Sequence, residues 1–181
     1  MDSFKGALSA EDACRAVEVG LRSVASDLEI VCKPMADGGE GTVAALLAAR
    51  PRGHWMPVRV QGPLPDSLVE AGFAWFPDDG TAVVEMATAS GLPLLGETER
   101  NPLITTTYGT GELIRANVEH GARRILLTIG GSATVDSGIG PGVAVSGCGR
   151  PGIGTLRLFP GRDRPNRAAD ESTPTPRDRS M

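Results

Sequence analysis

Aromatic side chains are scarce in this chain, at 4% of 181 residues, so its 40% hydrophobic share has to build a core from Ala, Val, Leu and Ile. That composition suits helices packed on a sheet. Cysteine is also rare: Cys14, Cys32 and Cys148 are odd in number and widely spaced, which indicates neither a disulfide framework nor a zinc site. Each reads as a small core hydrophobe. No apolar run is long enough to span a bilayer, and the N-terminus lacks the charged-then-apolar layout of a signal peptide. The expectation is a cytoplasmic protein with no membrane partner.

Positive charge is lacking where a nucleic-acid surface would need it. Residues 1–140 carry 11 Lys and Arg against 18 Asp and Glu, a balance of −7, while residues 141–181 carry 7 against 4, a balance of +3. An acidic body with a short tail of mixed sign argues against nucleic acid as a partner. Lysine is the scarcest charge of all, Lys5 and Lys33 against 16 arginines. There is no Gly-x-x-x-x-Gly-Lys-Ser/Thr, no nucleophile elbow, no zinc motif and no triad pattern, and no internal repeat.

What is present is alternation of helical and strand patterns. From Ser9 to Ala25 the apolar positions Ala13, Cys14, Val17, Leu21 and Val24 recur at three and four, one face of a helix, and Ser9 with Asp12 resembles a capping box that starts it. Residues 28–32 read as a strand stopped by Pro34. Thr42 is a cap for a helix over 43–49, ended by Pro51. Between Met56 and Phe76 short runs broken by Gly62-Pro63 and Pro65-Asp66, then Asp79-Gly80, predict paired strands at 58–60 and 71–76, in antiparallel sense. A strand at 82–86, a helix over about 112–120 stopped by Gly121, and a strand at 125–127 follow. The class is α/β with a largely parallel sheet. Residues 51–101 read as an insertion or as part of a second α/β domain.

Four segments carry chemistry. Ile129-Gly130-Gly131-Ser132-Ala133-Thr134 follows an apolar run and precedes Asp136. Two glycines and two hydroxyls past a strand end let backbone amides approach an anion, in the place where open α/β sheets bind ligands, and phosphate is the anion such loops most often hold. Asp37-Gly38-Gly39-Glu40-Gly41-Thr42 puts two carboxylates on a loop, able to hold Mg²⁺ or to accept a hydroxyl proton; charge at a helix start accounts for them equally well. Thr105-Thr106-Thr107-Tyr108-Gly109-Thr110-Gly111-Glu112 gathers more hydroxyls and glycines at a helix start than a cap needs. Lys5, in a Ser-Phe-Lys-Gly turn before a helix, is placed to meet a phosphate or carboxylate, with a solvated loop lysine as the plain alternative. Glu85, a carboxylate in an apolar strand, reads as edge-facing or paired. His54 and His120 read as surface residues. Gly39-x-Gly41-x-x-Ala44 also fits a loose dinucleotide-binding fingerprint, although no acidic residue ends the next strand.

Five stretches in order, Asp2-Ser3-Phe4-Lys5-Gly6, Pro34-Met35-Ala36-Asp37-Gly38-Gly39-Glu40-Gly41-Thr42, Val84-Glu85-Met86-Ala87-x-Ala89-Ser90-Gly91-Leu92, Asn101-Pro102-Leu103-x-Thr105-Thr106-Thr107-Tyr108-Gly109-Thr110-Gly111-Glu112-Leu113-Ile114 and Ile129-Gly130-Gly131-Ser132-Ala133-Thr134, resemble the glycerate kinase family that holds the bacterial glyoxylate- and galactarate-pathway enzymes. The resemblance implies ATP- and Mg²⁺-dependent phosphorylation of D-glycerate by a two-domain α/β protein, with a Rossmann-like domain and a second α/β domain around a central cleft. Phosphoryl transfer asks mainly for positioning and charge neutralisation. On that logic Lys5 meets the glycerate carboxylate or the transferred phosphate, Asp37 accepts the hydroxyl proton or holds the metal, and Glu40 is second to it. Ser3, Gly38, Gly39, Thr107, Tyr108, Gly109, Thr110, Gly111, Gly130, Gly131, Ser132, Thr134 and Asp136 line the substrate or phosphate cleft.

The departures shape the expectation for this chain. Family members usually have a strand ending in Ala-Pro before Asp-Ser-Phe-Lys-Gly, where this chain has Met1, and read Asn-Asp-Gly-Gly where it has Val135-Asp136-Ser137-Gly138. Beyond Gly140 the resemblance fades, so residues 1–149 read as a partial family region, roughly the first two-fifths. Residues 150–181, rich in Arg, Pro and Gly with no apolar periodicity, read as a disordered tail or as a GC-rich gene translated in a shifted frame. The competing readings are a catalytically inactive truncated fragment and, on the single glycine match, a dinucleotide-binding oxidoreductase.

Overall fold

The structure is a computed structural model that describes residues 1–4, 7–146 and 157–159. Helices α1 (Ala10–Val24) and α2 (Thr42–Ala49) precede strands β1 (His54–Gln61), β2 (Leu68–Phe76) and β3 (Thr81–Glu85); a short helix α3 (Ala87–Ser90), helix α4 (Tyr108–His120), strand β4 (Arg124–Thr128), helix α5 (Ile139–Ser146) and the three-residue strand β5 (Arg157–Phe159) follow. The strands lie in the order β1-β2-β3-β4-β5. β1 and β3 both run antiparallel to β2, as the Gly/Pro-broken middle predicts, and β3, β4 and β5 are mutually parallel. The α/β class stands; the sheet itself is mixed, parallel in one half only. Residues 51–101 build the antiparallel half of this same sheet, hydrogen-bonded without a break to β4.

Period-two alternation explains the three layers. Ala71, Phe73, Ala82, Val84, Ile125 and Leu127 point to one face, where Leu113 and Ile114 of α4 and Ala89 of α3 cover them. Ala74, Phe76, Val83 and Leu126 point to the other, under Val43, Leu46 and Leu47 of α2. A sheet covered on both sides is why β3 and β4 read as continuous apolar runs. Arg50, just past α2, lies over the Phe76 ring at 4.1 Å and closes that layer's edge.

The N-terminal region departs from the sequence expectations. α1 begins where expected, with the Ser9 hydroxyl accepting from the Asp12 amide at 3.0 Å, but of its apolar stripe only Ala13 and Cys14 are buried, and Val24 is 90% exposed. Residues 28–32 do not form a strand: they belong to no ladder among the described residues, and Leu28 and Val31 are exposed. β-propensity needs a partner to become a strand. Cys32 on that segment is consequently exposed rather than core, whereas Cys14 is buried; Cys148 lies outside the described residues. The tail at 150–181 also lies outside them, except that residues 157–159 pair with β4 instead of being unstructured. Among the described residues no helix is long and apolar enough to cross a membrane.

Candidate active site

Three chain segments meet at the carboxyl ends of the parallel pair β3 and β4, the position that open α/β sheets use for ligands. Glu85 ends β3 and sits opposite Thr128 at the end of β4. After β4 the 129–136 loop passes the 37–42 loop at one end and the start of α4 at the other. The Gly130 N–H donates to the Gly38 carbonyl at 3.0 Å. A Cβ on Gly130 would lie 2.6 Å from Gly39 Cα, so the two backbones touch only because residue 130 has no side chain.

The 37–42 loop is shaped from within and from β3. Asp37 Oδ1 accepts from the Gly39 N–H at 3.1 Å, and the Thr42 hydroxyl donates to the Gly39 carbonyl at 2.8 Å. Thr42 is the first helical residue of α2 and not its cap; the cap position is Gly41, in the left-handed region at φ 87°. The capping group comes from another strand. Glu85, only 4% exposed, accepts from the Gly41 N–H at 3.0 Å through Oε1 and from the Val43 N–H at 3.1 Å through Oε2. Burial pushes its carboxyl above the ordinary glutamate value, the two amides pull it back, and the nearby charge of Glu40 pushes it up again. Sequence reasoning placed Glu85 as edge-facing or paired; it is paired, with a helix start more than 40 residues away in the chain.

Asp37 and Glu40 are both exposed, and neither has an ion-pair partner among the described residues. The loop stands between two cavities. One, of about 300 Å³, holds Ser3 and Glu40 with Phe4, Leu8 and Met35 around it; the other, of about 320 Å³, holds Asp37 and Gly38 over the apolar floor of Val83 and Leu126. Lys5 lies outside the described residues.

The 129–134 loop has less anion-binding capacity than its sequence suggests. The N–H groups of Gly130, Ala133 and Thr134 already donate to Gly38 O, Ser90 O and Ser132 Oγ. The Ser132 and Thr134 hydroxyls bond each other at 2.9 Å. Gly131, at φ 75°, turns the chain so that its carbonyl accepts from the Leu92 N–H.

The 107–111 stretch is drawn into packing. Thr107 is the cap of α4 and 107–111 is buried but for the half-buried Tyr108. The Thr110 hydroxyl bonds Ser90 at 2.9 Å inside the core. Gly109 abuts the Gln61 carbonyl, and a Cβ on Gly111 would lie 2.6 Å from Ala144 Cβ. The helix starts four residues before the expected 112 because Asp136 anchors it: Oδ2 accepts from both the Thr107 N–H and hydroxyl at 2.8 Å. The structure thus places Ser3 and Glu40 on one cavity and Asp37 and Gly38 on the other, brings Gly39 and Gly130 into close backbone approach on the same loops, and buries Thr110 and Gly111 in packing.

Burial pushes the Asp136 carboxyl up, but the hydrogen bonds from Thr107 and from the amides of Gly138 and Gly140 outweigh it and leave the group below the ordinary aspartate value. A depressed folded pKa gives stability that is present above the unfolded value, about 3.9, and lost as pH falls through the folded one. Denaturant midpoints taken from pH 5 downward should therefore fall less steeply below about pH 4 in Asp136→Asn than in the parent. Equal slopes would remove Asp136 from the acid limb.

The fold and this junction define an α/β protein whose loops meet beside a cavity at the carboxyl ends of two parallel strands. The comparisons go further. The model of the glycerate kinase family matches residues 1–147. A glycerate kinase of Bacillus subtilis is 50% identical over 146 residues, covering 81% of this chain and 38% of that protein, and a glycerate 2-kinase of Escherichia coli is 48% identical over 139 residues, covering 77% and 36%. A crystal structure described as a glycerate kinase 2 from Salmonella typhimurium LT2 superposes with a TM-score of 0.64 at 44% identity, covering 80% of this chain and 38% of that one. The chain belongs to the glycerate kinase family, and it spans little more than a third of the length of the relatives it matches.

Proposed function

We propose that this chain carries the carboxylate loop of an ATP-dependent D-glycerate kinase. The observation that supports the reading is the 37–42 loop, with two exposed carboxylates, held against Gly130 at the carboxyl ends of β3 and β4. In this reading Asp37 orients the attacking hydroxyl of D-glycerate and takes its proton, which is general-base work for an exposed carboxylate. Lys5 faces the glycerate carboxylate or the transferred phosphoryl group as a point charge. Among the described residues no three His, Cys, Asp or Glu groups gather as a metal cage, but Mg²⁺ in such enzymes needs only one or two carboxylates beside phosphate oxygens. Glu40, exposed on the same loop three residues on from Asp37, fits that donor set and would hold it. ATP with Mg²⁺ supplies the phosphoryl group and the positive charge that offsets its oxygens.

A coupled assay with ATP and D-glycerate on the purified chain tests this. Asp37→Asn should lower turnover by roughly 10²- to 10⁴-fold, with an unchanged melting temperature because the side chain is exposed. Full turnover in that variant would sink the role.

A second reading, a non-catalytic member, is favoured by the exposed apolar face of α1 and by the commitment of the Gly130, Ala133 and Thr134 amides to protein acceptors. No turnover from a chain that melts cooperatively would select it. The dinucleotide reading loses its context, since the fingerprint at Gly39 requires a strand before it and residues 28–36 form none.

A further inference from the structure

We propose that Glu85 is the positioning residue of this site: its buried carboxylate locks the 37–41 loop in the one register that brings Gly38 and Gly39 against Gly130. The inference rests on the reading of Asp37 and Glu40 as the groups that face the substrate, and adds a residue that touches neither substrate nor nucleotide.

Geometry separates this role from plain helix capping. A cap is ordinarily a local side chain at the cap position, contacting an amide two or three residues on. Here the cap position is a glycine with no side chain, and the acceptor comes from the last residue of β3. Its two oxygens grip amides on either side of the helix start, Gly41 at 3.0 Å and Val43 at 3.1 Å. That bidentate grip fixes where α2 begins and how the left-handed Gly41 turns the chain into it. The loop then has one remaining attachment to β4, the Gly130 N–H to the Gly38 carbonyl. Because Glu85 and Thr128 are paired across β3 and β4, the strand ends set the spacing of both attachments. Asp37 and Glu40 are exposed and without ion-pair partners among the described residues; the bond that Asp37 accepts, from the Gly39 N–H at 3.1 Å, is internal to the loop, so the placement of the loop sets where the Asp37 carboxylate stands.

The test compares Glu85→Gln and Glu85→Ala in the full chain, with Leu47→Ala as a control for loosened packing of α2. Gln keeps one oxygen acceptor where Glu has two, and Ala keeps none. Residue-resolved amide exchange should show one of the Gly41 and Val43 amides exchanging at least tenfold faster in Glu85→Gln and both in Glu85→Ala, with β3 and β4 amides unchanged. Leu47→Ala should raise exchange along α2 without singling out those two. In the ATP and D-glycerate assay, kcat should fall in the order Glu, Gln, Ala while the KM for ATP stays within twofold. Uniform loosening of α2 in all three variants would overturn the proposal, as would Gly41 and Val43 protection that survives Glu85→Ala. If the parent chain folds but shows no turnover, the kinase reading fails while the exchange pattern still decides the role of Glu85.

Discussion

Gly109→Ala should destabilise the protein by about 3 kcal/mol, against the ordinary sign of the substitution. In a helix interior alanine is favoured over glycine by roughly 1 kcal/mol. At position 109 the added Cβ would land on the Gln61 carbonyl oxygen and lie 2.9 Å from its carbon. Backbone cannot rotate away as a side-chain end can, and overpacking of this kind costs about 1–3 kcal/mol or more. α4 is further pinned to β1 by the Gln61 N–H donating to Glu112 at 2.7 Å, so relief by sliding α4 would break that bond too. Urea unfolding of the variant gives the result. A midpoint equal to or above the parent's would mean that the approach of α4 to β1 is looser than described. Gly142→Ala on α5, where an added Cβ meets open space, is the control.

Gly130→Ala should cost the larger loss of function. The new methyl would lie 2.6 Å from Gly39 Cα and 2.9 Å from Gly38 O and Gly39 N, so the two loops have to separate and the bond between them lengthens. The stability cost is modest, about 1–2 kcal/mol for one hydrogen bond and local strain. Misplacing a reacting group by about 1 Å costs on the order of 100-fold in rate. Turnover of ATP with D-glycerate should therefore fall about 100-fold while the melting temperature drops by only a few degrees. Unchanged turnover would detach the 129–134 loop from the proposed chemistry.

Local patterns and tertiary contacts divide the structure between them. The start of α1 was legible because Ser9 and Asp12 are three residues apart and the cap is made within one turn. The β1–β2–β3 meander was legible because Gly, Pro and Asp mark its turns. Residues 28–32 have the composition of a strand but pair with no neighbour among the described residues, and nothing in five residues reveals that. The packing roles of the 107–111 stretch were not legible: Gly109, Thr110 and Gly111 bring α4 close to β1, Ser90 and α5, and a hydroxyl in a core looks the same in sequence as a hydroxyl in a cleft. Glu85 could have been suspected from one signal alone, a carboxylate inside an otherwise apolar strand.

By itself the sequence determined the α/β class, the antiparallel turn-rich middle and the end of α4 at Gly121, because each depends on residues within a turn or a strand of one another. Only the tertiary structure decided which loops meet. Gly38 and Gly130 are bonded neighbours although 92 residues apart in the chain; Glu85 reaches Gly41 and Val43, and Asp136 reaches Thr107, across 29 to 44 residues of chain. Carboxylates satisfy helix starts wherever the fold delivers them, and that delivery is a property of packing that no local spacing records.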